Sequence, residues 1–149
     1  MILLVSMTGC GNKTAKDPVT LTMWHVYGSQ TESPLNALID EFNQTKGKES
    51  GIVVSVVSVT NSSAIDDALI ASAHNDPGAV SMPDLFTAYP RVAEEIGPDR
   101  LLDWDGYLSE KERSAYVDAF LEEGIIDGRL IMLPIAKSTE LLFLNKTIF

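Results

Sequence analysis

The sequence predicts an α/β fold, with a parallel sheet whose strands are joined by helices. Three observations lead there. Apolar residues recur alternately with a period of two and a period near 3.6 along the chain. Residues 52–59 form an almost unbroken β-branched run, the composition of a strand in a sheet covered on both faces. Helix-start signals stand between the strand-like runs, so strands and helices take turns and right-handed crossovers follow. The chain has 149 residues, 45% of them hydrophobic and 7% aromatic, which is at most one domain's length and enough to form a core.

The first strand is read at 19–24, where Val19, Leu21 and Met23 share one face and threonines separate them. Ser33-Pro34 then supplies an N-cap and a proline at the first helical position. Leu35, Leu38, Ile39 and Phe42 form the stripe of a helix ending near Thr45-Lys46-Gly47. After the strand at 52–59, Ser62-Ser63 offers a cap for a helix whose stripe is Ile65, Ala68, Leu69 and Ala73. A short strand at 82–87 and a short helix from Pro90 to Ile96, stopped by Gly97, come next.

Ser109-Glu110-Lys111-Glu112 is a capping box, and the helix behind it is expected to turn Tyr116, Ala119 and Phe120 inward. Asp127-Gly128, between Ile125-Ile126 and Leu130 to Leu133, reads as a two-residue hairpin turn. A last strand is expected at 140–144. This strand and the hairpin are expected to expose apolar faces, leaving the isolated chain marginally stable.

The formal charge is −10, and the 11 Lys and Arg are scattered rather than clustered. That disfavours nucleic acid, whose binding needs a basic face to release counterions. No later stretch reaches the ~18 consecutive apolar residues of a membrane span. Cys10 is the sole cysteine, which excludes an internal disulfide and a CxxC metal or redox site. The two histidines do not stand at metal-binding spacing, so neither a metal nor a cofactor is expected.

Around Cys10 an apolar run (Ile2 to Val5), a small-residue segment (Ser6 to Gly9) and a polar tail (Gly11 to Asp17) follow one another. These are the parts of a secretory signal, and the cysteine after them resembles the lipobox of bacterial lipoproteins, which acylates that residue. Met7 stands where the usual leucine would be, and no basic residue precedes the apolar run, which suggests a start further upstream. A buried or terminal thiol is the plainer alternative. Residues 1–9 are thus read as a partial lipoprotein signal peptide, 10–18 as a flexible tether and 19–149 as folded chain. Sequons at Asn12, Asn43, Asn61 and Asn145 are read as chance beside such a signal.

The stretch from Thr22 to Gly28, followed by Leu35 to Asn43, resembles the opening of the extracellular solute-binding proteins of bacterial ABC importers, in the branch for sugars and glycerol 3-phosphate. Pro83-Asp84-Leu85-Phe86, then Phe120 to Gly124 with Asp127-Gly128, then Leu133 to Glu140 with Asn145-Lys146 fall in the family's order. The resemblance implies a type II periplasmic-binding-protein-like fold, of which this chain would be the first part of the N-terminal lobe, incomplete, with the second lobe absent. It implies a receptor for a carbohydrate or similar small polar solute, ABC permease subunits as partners, and a lipid anchor holding the protein on the outer face of the membrane, the periplasmic side in a Gram-negative cell. Ser63 and Pro90 stand where glycerol-3-phosphate-binding members have a tyrosine and an acidic residue, which argues against that solute.

In parallel sheets ligands collect beyond the carboxyl ends of strands, and sugars call for aromatic faces beside carboxylates and amides. The candidate binding residues are therefore Trp24, His25 and Tyr27 after the first strand, Asp84 and Tyr89 around the third, and Lys137, Ser138, Thr139 and Glu140 before the last. Ser63, at the start of a helix, is a further donor. Trp24 and Tyr89 serve equally well as core, His25 as a satisfied loop histidine, and Asp84 as a turn residue. No catalytic residue is expected, since no nucleophile elbow or Ser-His-Asp arrangement is recognisable. The competing reading is a lipid-anchored, glycosidase-like hydrolase using Asp84, Asp103 or Glu140, with Asp103 and Asp105 flanking Trp104 as an apparent carboxylate pair.

Overall fold

The computed structural model describes residues 17–29, 33–138 and 142–147. Cys10, the signal-like segment before it, Thr139 and Glu140 lie outside the described residues. The elements run β1 (Val19–His25), α1 (Pro34–Gln44), α2 (Lys46–Ser50), β2 (Ile52–Ser58), α3 (Ser62–His74), β3 (Leu85–Phe86), α4 (Pro90–Ile96), α5 (Glu110–Arg113), α6 (Asp118–Glu122), β4 (Ile125–Ile126) and β5 (Arg129–Leu130), with single 3-10 turns at Tyr27–Ser29, Pro98–Arg100 and Trp104–Gly106. Strand–helix alternation and parallel pairing both hold, so the chain is an α/β structure. It divides into two compact units, one running to Thr60 and including Pro83–Phe86, the other formed by Asn61–Met82 and the chain from Thr87 onward.

The first unit is built on a parallel sheet of order β2-β1-β3. β1 and β2 pair from Val19 opposite Ile52 to His25 opposite Ser58, and β3 pairs with Met23 and Trp24. The third strand is thus two residues long rather than the six expected at 82–87. Beside it, the Asp84 carboxylate accepts from the Thr22 amide at 2.8 Å, so a side chain takes up the β1 donor where the ladder stops.

Ser33 caps α1 by accepting from the Asn36 amide, and Pro34 occupies its first turn, as the sequence indicates. The helix ends at Gln44, where Thr45 leaves helical backbone geometry, and a separate short helix, α2, follows. Ile39 is buried while Leu38 faces solvent, so the apolar stripe is narrower than its spacing suggests. Asn43, near the end of α1, holds β2 through its side-chain amide: Nδ2 donates to the Val54 carbonyl at 2.9 Å and Oδ1 accepts from the Val54 amide at 2.8 Å. The β-branched run of β2 is not covered on both faces; it lies at the sheet's edge, with Ser55, Val57 and Ser58 exposed. In β1 exposure falls along the strand, from exposed Val19 and Thr20 to buried Trp24 and His25.

In the second unit α3 packs on α4. Asn61, rather than Ser62 or Ser63, caps α3, accepting from the Ala64 amide at 2.9 Å. Ile65, Leu69 and Ala73 are buried on α3, and Val92, Ala93 and Ile96 on α4. Asp66 is buried among them, and its Oδ2 lies 3.5 Å from Arg91, which also reaches Glu95. Burial pushes the Asp66 carboxyl above the usual carboxylate range; Arg91 opposes the shift and Asp67 adds to it.

The capping box forms as expected, with the Ser109 amide donating to Glu112 at 2.9 Å and the Glu112 amide donating to Ser109 Oγ at 3.3 Å. The helix it opens is only four residues long, contrary to the expectation of one helix reaching Phe120. Ser114 Oγ donates to the Lys111 carbonyl at 2.9 Å, competing for the helix's own acceptors. Val117 turns extended before α6. The break re-aims the second half: Leu121 is buried, whereas Ala119 and Phe120 are exposed.

The β4–β5 hairpin closes on Asp127 and Gly128, both with positive φ (51° and 76°), the type I′ backbone that Asp-Gly favours. Its apolar residues do not face outward as expected. Ile126 and Ile131 join Ala93, Leu101 and Met132 in one cluster, and Leu130 is buried, leaving only Ile125 of this set exposed. Arg129 pins the preceding loop, donating to the Pro98 and Leu101 carbonyls at 2.9 and 3.2 Å and pairing with Asp99 at 2.8 Å. Residues 139–141 lie outside the described residues, and Leu142, Phe143 and Leu144 are exposed and form no strand. Three sequon asparagines have local structural employment: Asn43 and Asn61 as described, and Asn145 accepting from the Thr147 amide at 3.0 Å.

Candidate functional site

At the carboxyl end of β1 the sheet's ladder runs out: the His25 carbonyl accepts from the Val59 amide at 2.9 Å, and the chain turns through Tyr27–Ser29. Three of the expected residues meet there. Trp24 is 8% exposed and His25 0%, while Tyr27 is half-buried. The Tyr27 amide donates to His25 Nδ1 at 3.1 Å, and the two rings stack, 6.1 Å between centroids at 29°. His25 Nε2 is buried without a hydrogen-bond partner among the described residues.

Gly28 makes this turn possible by close approach. A Cβ on it would lie 1.8 Å from Ser58 Oγ and 2.5 Å from Ser58 Cβ, so only glycine lets the turn lie against the end of β2. Ser58 is the residue that sequence reasoning missed. Its signal was Gly28 itself, three positions after the last strand residue, which asks for a neighbouring backbone or side chain to approach.

Asp84 belongs to the same unit but not to this end of the sheet. It precedes β3, at the level of Thr22, and its carboxylate is engaged there. It therefore has a structural task of the kind its position after Pro83 allowed.

The remaining candidates lie in the second unit. Ser63 is exposed on the first turn of α3. Tyr89, 62% exposed, occupies the N-cap position of α4 without a side-chain cap bond. Lys137 pairs with Glu123 and places its ammonium 5.6 Å from the centre of the Phe120 ring, a cation–π distance. Ser138 is exposed. Among the described residues no hydrogen bond or ion pair joins Ser63, Tyr89, Lys137 and Ser138 to one another.

The carboxylates of the hydrolase reading are separately engaged. Asp103 accepts from the Asp105 amide and pairs with Arg129 at 3.7 Å, while Asp105 pairs with Arg113. Each carboxylate flanking Trp104 thus has its own arginine. Among the described residues no group of three or more His, Cys, Asp or Glu is placed to hold a metal ion, and no helix is long and apolar enough to cross a membrane.

The chain is similar to the crystal structure of a cyclic α-maltosyl-1,6-maltose binding protein from Arthrobacter globiformis, with 28% sequence identity and a TM-score of 0.60. The match covers 76% of this chain and 27% of that one, so the chain spans about a quarter of that protein's length. No protein-family model matches the chain, and no curated protein does.

Proposed function

We propose that the chain is part of a non-catalytic saccharide receptor that captures an oligosaccharide or similar polar solute for an ABC importer. The observation that carries this reading is its 28% identity and TM-score of 0.60, over 76% of its length, to a protein that binds a cyclic maltosyl-maltose. The end of β1 supports it chemically. Tyr27 is the half-buried ring there, offering an apolar face to sugar C–H groups and a hydroxyl that both donates and accepts. In the second unit the exposed Tyr89 ring has the same capacities, and Ser63, Lys137 and Ser138 supply polar groups.

The receptor reading includes a capture mechanism in which the solute binds the closed form more tightly than the open one and so shifts the balance toward closure. Delivery to permease subunits completes it. Cys10, after its apolar run, is the proposed acylation point, which would hold the receptor on the outer face of the membrane. A hydrolase is the less favoured reading, because Asp84, Asp103 and Asp105 each serve a local structural contact.

Saturation-transfer NMR on the full chain, with a panel of linear and cyclic gluco-oligosaccharides, tests the proposal and detects weak as well as tight binding. The expected result is transfer to sugar ring protons with the sugar resonances unchanged over hours. Growth of product resonances would establish a hydrolase instead, and no transfer to any oligosaccharide would remove the saccharide reading.

A further inference from the structure

His25 is a histidine where an apolar side chain would be easier to bury. Its ring is 0% exposed, and its Nε2 has no partner among the described residues. A buried donor without an acceptor is a cost to the fold. The other ring nitrogen makes the only side-chain hydrogen bond described for this residue. Because the Tyr27 amide donates to Nδ1, that nitrogen carries the lone pair, and in the neutral imidazole the proton sits on Nε2.

The same contact governs Tyr27. Its amide is held by Nδ1, its ring lies on the imidazole, and the next residue, Gly28, is pressed against Ser58. A ring wholly withdrawn from solvent is closed to a solute, whereas the half-buried Tyr27 is open to one without rearrangement.

We infer that His25 is a positioning residue for the saccharide site: through Nδ1 and ring stacking it fixes the Tyr27 turn and the face that Tyr27 presents. This rests on the saccharide reading above, with Tyr27 as the group that meets the sugar.

The test uses the geometry of side-chain amides. Asn places its oxygen near the position of Nδ1, and Gln places its amide near the position of Nε2. In His25→Gln and His25→Ala the Tyr27 amide should exchange freely with solvent and saccharide Kd should rise by about tenfold, the net worth of one hydrogen bond. His25→Asn should restore both amide protection and affinity relative to His25→Ala. In a Tyr27→Ala background His25→Gln should cost little more, since the two changes act on one contact.

Equal amide exchange in His25→Asn and His25→Gln would overturn the inference, whether or not sugar binds. So would His25→Gln keeping its affinity while His25→Asn loses it with its melting temperature unchanged, because Nε2 would then be the group the solute meets. Failure of the unmodified chain to bind any oligosaccharide would instead refute the functional reading, and the amide comparison would still decide what His25 does for the turn.

Discussion

Replacing Gly28 with alanine adds a single methyl group at the tightest approach described in the first unit. The new Cβ would stand 1.8 Å from Ser58 Oγ and 2.5 Å from Ser58 Cβ. The hydroxyl can rotate away, because Ser58 is exposed at the end of β2. The Cβ cannot move without displacing backbone, either of β2 or of the Tyr27–Ser29 turn. Overpacking of this kind costs about 1–3 kcal/mol. Gly28 is not among the glycines with positive φ, so alanine recovers about 0.4–1 kcal/mol by restricting the unfolded chain. The balance is a loss centred near about 1.3 kcal/mol and no larger than about 2.6 kcal/mol, read as a lowered urea midpoint in tryptophan fluorescence, with Trp24 buried next to the turn as one reporter. Ser58→Gly removes both clashing atoms and should return most of that loss in the double variant, a coupling well above the few tenths of a kcal/mol expected of independent sites. A Gly28→Ala chain as stable as its parent, or a double variant showing simple additivity, would refute the close approach as the reason for this glycine.

Leu69, 0% exposed on α3, should cost about 2–5 kcal/mol when cut to alanine, measured by urea unfolding. Burial raises the Asp66 carboxyl above its ordinary 3.8, so the folded chain binds its proton more readily than the unfolded chain does. Asp66 therefore favours folding more as pH falls through the window between 3.8 and the raised value, and less as pH rises through it. Asp66→Asn should remove that part of the pH dependence, which urea midpoints at several pH values will reveal; an unchanged pH profile counts against the burial effect. The Ser109 hydroxyl, and then its amide, hold the Glu112 carboxyl below the usual range, so Ser109→Ala should raise the Glu112 titration midpoint seen by NMR.

What the sequence disclosed was local. Ser33-Pro34, the Ser109–Glu112 box and Asp127-Gly128 each act within four residues, and each appears in the structure as read. The Gly97 stop of α4 belongs with them. What escaped depends on partners distant in the chain. A β-branched run looks the same at a sheet's centre and at its edge, so nothing in Ile52–Ser58 announced an edge strand. The break after Arg113 hung on a serine hydroxyl choosing a backbone acceptor, which helical spacing cannot foresee. The candidate site was legible in its residue types but not in its grouping. Trp24, His25 and Tyr27 are neighbours in sequence and stay together, whereas Asp84 is drawn to Thr22. Ser58 was invisible until Gly28 was seen to lean on it.

The paired bonds between Asn43 and Val54 also bear on how this sheet meets other chains. A strand with one free side is a template, and an approaching strand needs its outward amides and carbonyls. The Asn43 side chain presents a donor and an acceptor in the spacing of a peptide group, and it occupies both the amide and the carbonyl of Val54. It acts as a one-residue substitute for a neighbouring strand, interrupting the template midway along β2. A strand approaching that side of β2 would have to displace Asn43 from Val54 before it could pair there.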